Sequence, residues 1–292
     1  MRPDLGTILT AMVTPFDEDL AVDHAGAERL AAWLLDNGSD GLVVGGTTGE
    51  SPTLTDAEKL ELFRVVIAAV GDRAPLVVGT GTYDTRHSIE LTRAAERCGA
   101  DAALVVTPYY NKPPERGLIE HFRAVAAATD LPVIIYNIPG RSGVNLSAAA
   151  LATLAEVESI FAVKQANPDL EELDRVAAIE GLEVYAGNDD LLLDVLRRGG
   201  RGGICVASHV VGPRMAELAR RARAGDEAGA EAADAELRAL YKALFVTTNP
   251  IPVKAALNLL GHDVGGLRLP LVEADERERG AVATALRDLG LL

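Results

Sequence analysis

The 292-residue sequence holds only two cysteines, Cys98 and Cys205, far apart and without C-x-x-C spacing. That excludes a disulfide framework and a cysteine-based zinc site, and it fits the reducing cytoplasm. Aromatic residues make up 4% of the chain against 48% hydrophobic residues, so a core must be assembled from Ala, Val, Leu and Ile. Positive charge is scarce too: 28 Lys and Arg stand against 43 Asp and Glu, a net charge of −15. Such a surface does not neutralise phosphates, which argues against a nucleic-acid partner. An anionic substrate must therefore meet a local positive group that overcomes the global field. No apolar run approaches the roughly 18 residues of a membrane span, and Met1-Arg2-Pro3-Asp4-Leu5 lacks the apolar stretch of a signal peptide. The expectation is a soluble, cytoplasmic protein without membrane contact. The five histidines show no metal-ligand spacing, and no G-x-S-x-G elbow appears, so a metal-dependent aldolase and a serine hydrolase are both disfavoured.

Apolar, β-rich runs alternate with longer amphipathic runs along most of the chain. The pattern predicts strands at Thr7 to Val13, Gly41 to Val44, Leu76 to Val78, Ala102 to Val106, Pro132 to Tyr136, Ile160 to Lys164, Glu183 to Ala186 and Gly203 to Val206. Helices are predicted between them, among them Ala25 to Leu35, Asp56 to Val70, Thr85 to Cys98, Gly117 to Ala128 and Val210 to Ala224. Thr55-Asp56-Ala57-Glu58 is a capping box, Asn145-Leu146-Ser147 offers a cap before an Ala-rich helix, and Pro168-Asp169 sits at another first turn. This is the element count of an α/β protein of the (β/α)8 TIM-barrel class, with a doubly wound open sheet as the alternative. After Ala224 the alternation gives way to helical runs at Asp226 to Phe245, Asn249 to Leu260 and Glu273 to Leu289. The expected organisation is a catalytic barrel over 1–224 and a small C-terminal helical domain over 225–292.

One residue stands out against this pattern. Lys164 closes the run Ile160-Phe161-Ala162-Val163, which reads as a strand covered on both faces. A lysine at such a place either snorkels to solvent or, desolvated, loses its proton and becomes an amine able to form a Schiff base with a ketone. Three loops that follow strands bear on the choice, because in a barrel those loops form the catalytic face. Gly45-Gly46-Thr47-Thr48-Gly49-Glu50-Ser51 is a turn or a cradle of N–H groups and hydroxyls for a phosphate or carboxylate, and it lacks the lysine of a P-loop. Thr107-Pro108-Tyr109-Tyr110-Asn111 supplies two tyrosines that, taken alone, read as packing residues. Tyr136-Asn137-Ile138-Pro139-Gly140-Arg141 brings a phenol to a strand end and a guanidinium fork suited to a carboxylate. With Lys164 these make a coherent set: amine nucleophile, hydroxyl relay and carboxylate clamp. Lys112 sits in a Pro-rich loop and Lys254 in the helical appendage, so neither rival amine is expected to lose its proton.

These stretches, with Val163-Lys164 and Asn249-Pro250-Ile251-Pro252-Val253-Lys254, closely resemble the dihydrodipicolinate synthase (4-hydroxy-tetrahydrodipicolinate synthase) family of pyruvate-dependent class I aldolases. N-acetylneuraminate lyase and ketodeoxygluconate aldolase are its relatives. The resemblance spans Thr7 to Leu292. It implies a Schiff-base-forming lyase of lysine and diaminopimelate biosynthesis that condenses pyruvate, held on Lys164, with L-aspartate 4-semialdehyde and needs no other cofactor. It further implies that Thr47 and Thr48 bind the pyruvate carboxylate, and that Thr47, Tyr136 and Tyr110 relay protons, Tyr110 from a neighbouring subunit. Arg141 would hold the acceptor's carboxylate, Gly187 and Ile204 would line the site, and the assembly would be a homotetramer, a dimer of dimers. A sugar-acid aldolase or lyase of the same family is the alternative, and Arg141 speaks against it. Gln165, where many synthases carry an acidic residue, and Gly187-Asn188-Asp189-Asp190, in place of the commoner Gly-Asp-Asp, depart from the pattern next to site positions. Lysine-inhibited members bind lysine with histidines, an Asn and a Glu. The matching positions here are Pro52, Asp56, Lys59, Tyr83 and His87, so weak or absent inhibition by lysine is expected.

Overall fold

The computed structural model describes residues 3–292; Met1 and Arg2 of the N-terminal stretch lie outside the described residues. Eight parallel strands close into a barrel in sequence order. They are β1 Ile8–Ala11, β2 Gly41–Val44, β3 Leu76–Gly79, β4 Ala102–Val106, β5 Val133–Asn137, β6 Ile160–Gln165, β7 Glu183–Ala186 and β8 Gly202–Cys205. Pairing of β1 with β8, in register Leu9 with Ile204, removes the sheet edge and with it the open-sheet alternative. The strands are almost wholly buried because helices cover their outer faces, which is why their sequences run apolar rather than alternate.

The covering helices are α1 His24–Asp36, α2 Asp56–Val70, α3 Thr85–Arg97, α4 Glu115–Ala126, the single turn α5 Pro139–Ser142, α6 Ala148–Ala155, α7 Leu170–Ala177, α8 Leu192–Arg197 and α9 Ser208–Arg223. The capping box predicted at Thr55 is formed, and Ser147 and Asp169 cap α6 and α7 through their side chains. Boundaries move by a few residues. The first strand is shorter than Thr7 to Val13, because pairing runs only over Ile8–Thr10 on the β8 side and Leu9–Ala11 on the β2 side. Helix α4 starts two residues before Gly117, since Pro114, held at φ −65°, serves as its cap. Three further helices, α10 Glu227–Leu244, α11 Ile251–Leu259 and α12 Glu276–Asp288, form the C-terminal helical region, packed on α9 and on one another. Among the described residues, no helix is long and apolar enough to cross a membrane.

Candidate active site

Within β6 the side chains alternate between the barrel interior and its helical coat, so Lys164 and Gln165 face opposite ways. Lys164 has its Cα partners in Tyr136 of β5 and Tyr185 of β7, and it is only 4% exposed. Its Nζ lies 4.3 Å from the centre of the Tyr136 ring. Above them, at the carboxyl ends of the strands, opens a cavity lined by Gly45, Gly46, Thr47, Tyr109, Tyr136 and Arg141. Leu104, Val106 and Ile138 complete an apolar wall.

The Gly-rich loop after β2 owes its path to glycine at two places. Gly45 has φ +66°, and a Cβ on Gly79 of β3 would stand 2.3 Å from the Gly45 carbonyl oxygen. The turn is closed by Gly49 N–H to Gly46 O, Glu50 N–H to Thr47 O and Ser51 N–H to Gly46 O, and the Thr14 hydroxyl holds Gly49 O at 2.7 Å. Among the described residues no acceptor is bonded by the N–H groups of Thr47 and Thr48, which leaves both donors available at this turn.

Arg141 sits in α5, exposed at the cavity mouth, and its Nη2 donates to the Asn249 carbonyl at 3.1 Å. The side chain of the same residue, Asn249, donates from Nδ2 to Thr48 Oγ1 at 2.9 Å. One residue of the C-terminal region thus touches both the Gly-rich loop and the guanidinium. The sequence singled out Asn249 only as part of a helix-opening motif; its position before Pro250, far along the chain from both partners, gave no other signal.

The remaining predicted residues fall into place unevenly. Ile204 is fully buried in the inner cluster with Tyr136 and Ala166. Gly187 lets the chain after β7 pass Ala166, whose Cβ would stand 2.6 Å from a Cβ at that position. Tyr110 is not brought to the cavity: at φ +70° its side chain is 91% exposed, and Tyr109 lines the pocket instead, edge-on to Tyr83 at 5.5 Å. Burial, with Tyr83 beside it, pushes the Tyr109 phenol up from its ordinary value. Lys112 is exposed, as expected.

Two expectations need correction. Lys254, placed in the helical appendage with no reason to lose its proton, does have one: it is 1% exposed, and burial pushes its pKa down to about 8 against the opposing charge of Glu50. The reason is that α11 packs its Ile-Pro-Val-Lys face inward, against the Gly-rich loop, rather than outward. Its Nζ is engaged by Glu50 and Gly266 O, so burial alone does not distinguish a Schiff-base lysine. Gln165, next to Lys164 in sequence, is not next to the cavity: it is buried on the outer face, where its Oε1 accepts from Asn137 Nδ2 at 2.9 Å. The departure there belongs to an amide network between β5 and β6. Asp189, which sequence reading noted only as part of a departure, is buried and accepts from Val206 N–H and Ala207 N–H at 2.8 Å each, tying the end of β8 to that of β7. Burial raises its pKa, offset by those two amides and by the charge of Lys164.

The family model described as "Dihydrodipicolinate synthetase family" matches residues 4–289. The chain belongs to that family. It is 53% identical over 289 residues to the 4-hydroxy-tetrahydrodipicolinate synthase of Moorella thermoacetica, covering 98% of this chain and 99% of the relative. Among solved structures, dihydrodipicolinate synthase from Cyanidioschyzon merolae with lysine bound superposes with TM-score 0.97 at 43% identity, covering 99% of each chain. The Bacillus anthracis dihydrodipicolinate synthase does so with TM-score 0.95, also at 43% identity, covering 97% of this chain and 98% of the other. Family membership thus runs through barrel and C-terminal helices alike.

Proposed function

We propose that the chain is a lyase with 4-hydroxy-tetrahydrodipicolinate synthase activity, condensing pyruvate with L-aspartate 4-semialdehyde in the route to diaminopimelate and lysine. The observation that carries the reading is Lys164 at the buried end of β6, under a cavity that offers free amides on one wall and Arg141 at its mouth. Pyruvate's carboxylate is received by the Thr47 and Thr48 amides. The Lys164 amine adds to the ketone, and loss of water gives an iminium. That cation is the electron sink, so a methyl proton leaves to give an enamine without need of a metal. The enamine carbon attacks the semialdehyde carbon, the new alkoxide takes up a proton, and the acceptor's own amine displaces Lys164 by transimination, closing the ring. Tyr136, whose ring lies against Nζ, and Thr47 serve as the proton relay. Arg141 meets the acceptor's carboxylate by bidentate pairing, while Gly187 and Ile204 shape the floor.

Tyr110 completes the relay only when it arrives from a neighbouring copy, and a homotetramer built as a dimer of dimers supplies it; its exposure outside its own cavity supports that reading. The test is borohydride trapping with pyruvate, followed by peptide mapping, together with rates on the semialdehyde and on sugar aldehydes. A reduced adduct on Lys164 and saturable turnover with the semialdehyde are expected. Turnover with a sugar aldehyde alone would move the chain to the sugar-acid lyases.

A further inference from the structure

The anion-binding turn is gripped from the C-terminal region by a buried ion pair. Glu50, at φ +56°, places Oε1 2.8 Å from Lys254 Nζ, with both side chains almost wholly buried. The other oxygen, Oε2, accepts from Arg268 N–H at 3.0 Å. Lys254 Nζ also donates to Gly266 O at 2.6 Å and lies 4.1 Å from the centre of the Phe16 ring. The Arg268 guanidinium covers the same ring at 4.7 Å and donates to Leu20 O, Thr53 O and Glu58 Oε1. These bonds all go to protein groups, and neither Lys254 nor Arg268 lines the cavity.

A buried ion pair is a poor device for stability, because desolvating both charges offsets their attraction. Left-handed backbone at a glutamate is likewise tolerated only where its surroundings over-determine it. Both features meet at one residue, and that residue's N–H and carbonyl close the turn: Glu50 N–H bonds Thr47 O and Glu50 O accepts from Thr53 N–H. We infer that Lys254 is a positioning residue for pyruvate: through Glu50 it fixes the turn that aims the Thr47 and Thr48 amides at the substrate carboxylate. The inference rests on the reaction proposed above and assigns to the C-terminal helices a part in binding the first substrate.

The readout is the pyruvate concentration that half-saturates borohydride trapping on Lys164, which requires no acceptor. If wild type gives no adduct, the proposed reaction fails; if it does, the variants test Lys254 alone. Glu50→Gln and Lys254→Met should raise half-saturation tenfold or more while leaving the acceptor KM within about twofold. Glu50→Asp keeps both charges, shortens the link by one methylene and should also raise it severalfold. Where a single variant does not fold, E50Q/K254M removes both charges together and takes its place. A tenfold rise in the folded double variant sustains the assignment. Wild-type half-saturation in any folded variant, even one that melts earlier, reduces the pair to a structural contact and overturns it.

Discussion

Tyr136 and Lys164 are Cα partners across β5 and β6, and the ammonium of one rests 4.3 Å from the ring centre of the other. Parallel pairing in this register puts a phenol beside the amine at the moment carbinolamine, iminium and enamine exchange protons. Tyr136→Phe keeps the ring and its packing and removes the hydroxyl. It should lower kcat by about 10²-fold to 10⁴-fold, the range for one positioned acid–base group, with the pyruvate adduct still forming on Lys164. Steady-state rates beside borohydride trapping separate the two effects.

Arg141→Ala should act on the acceptor and spare pyruvate. A hydrogen bond to a charged group contributes roughly 1.5–3 kcal/mol, so the acceptor KM should rise about tenfold to a hundredfold. The side chain is exposed and its only protein acceptor among the described residues is the Asn249 carbonyl, so stability should change little. An unchanged acceptor KM would leave the clamp unassigned and reopen the sugar-acid alternative.

Lysine should inhibit weakly or not at all. His87 Nε2 and Asp56 Oδ2 are 2.7 Å apart, and the ammonium of buried Lys59 lies 3.9 Å from the same carboxylate. These three side chains are paired with one another, and Lys59 already places a cation beside the Asp56 carboxylate. Initial rates with up to millimolar lysine check this; half-inhibition below a millimolar would contradict it.

Acid should destabilise the fold through His209. The ring is fully buried, donates from Nδ1 to Val206 O at 2.8 Å and accepts Val13 N–H on Nε2 at 3.1 Å, so it is neutral. Burial pushes its pKa down to about 4. Below the ordinary value of about 6.5 the unfolded chain binds a proton that the folded chain refuses. The stability is therefore whole above pH ~6.5 and is lost as pH falls towards 4, on the order of 3 kcal/mol over the window. Buried His121, also lowered to about 4, acts in the same direction. Urea midpoints between pH 7 and 4.5 should fall, and His209→Asn should lower the midpoint at pH 7 while flattening the slope.

Most of the fold was legible in the chain because its signals are local. Continuous apolar runs marked the strands, the Thr55, Ser147 and Asp169 caps marked helix starts, and Lys164 stood out as a charge ending an apolar strand. What was misjudged was long-range. Gln165 and Lys164 are neighbours in sequence but face opposite ways, and the burial of Lys254 gave no sign because its partner, Glu50, is 204 positions away in the numbering.

The sequence by itself determined the alternation that makes a barrel, the lysine at its centre and the loops that surround it, since each depends on a few adjacent residues. Only the tertiary structure decided which buried lysine lies against Tyr136 and which is paired with Glu50. It also decided that Asn249 spans Thr48 and Arg141, and that Tyr110 lies outside its own site. Those outcomes follow from how helices close over a barrel, where burial and partners are set by packing between segments whose spacing along the chain carries no trace of it.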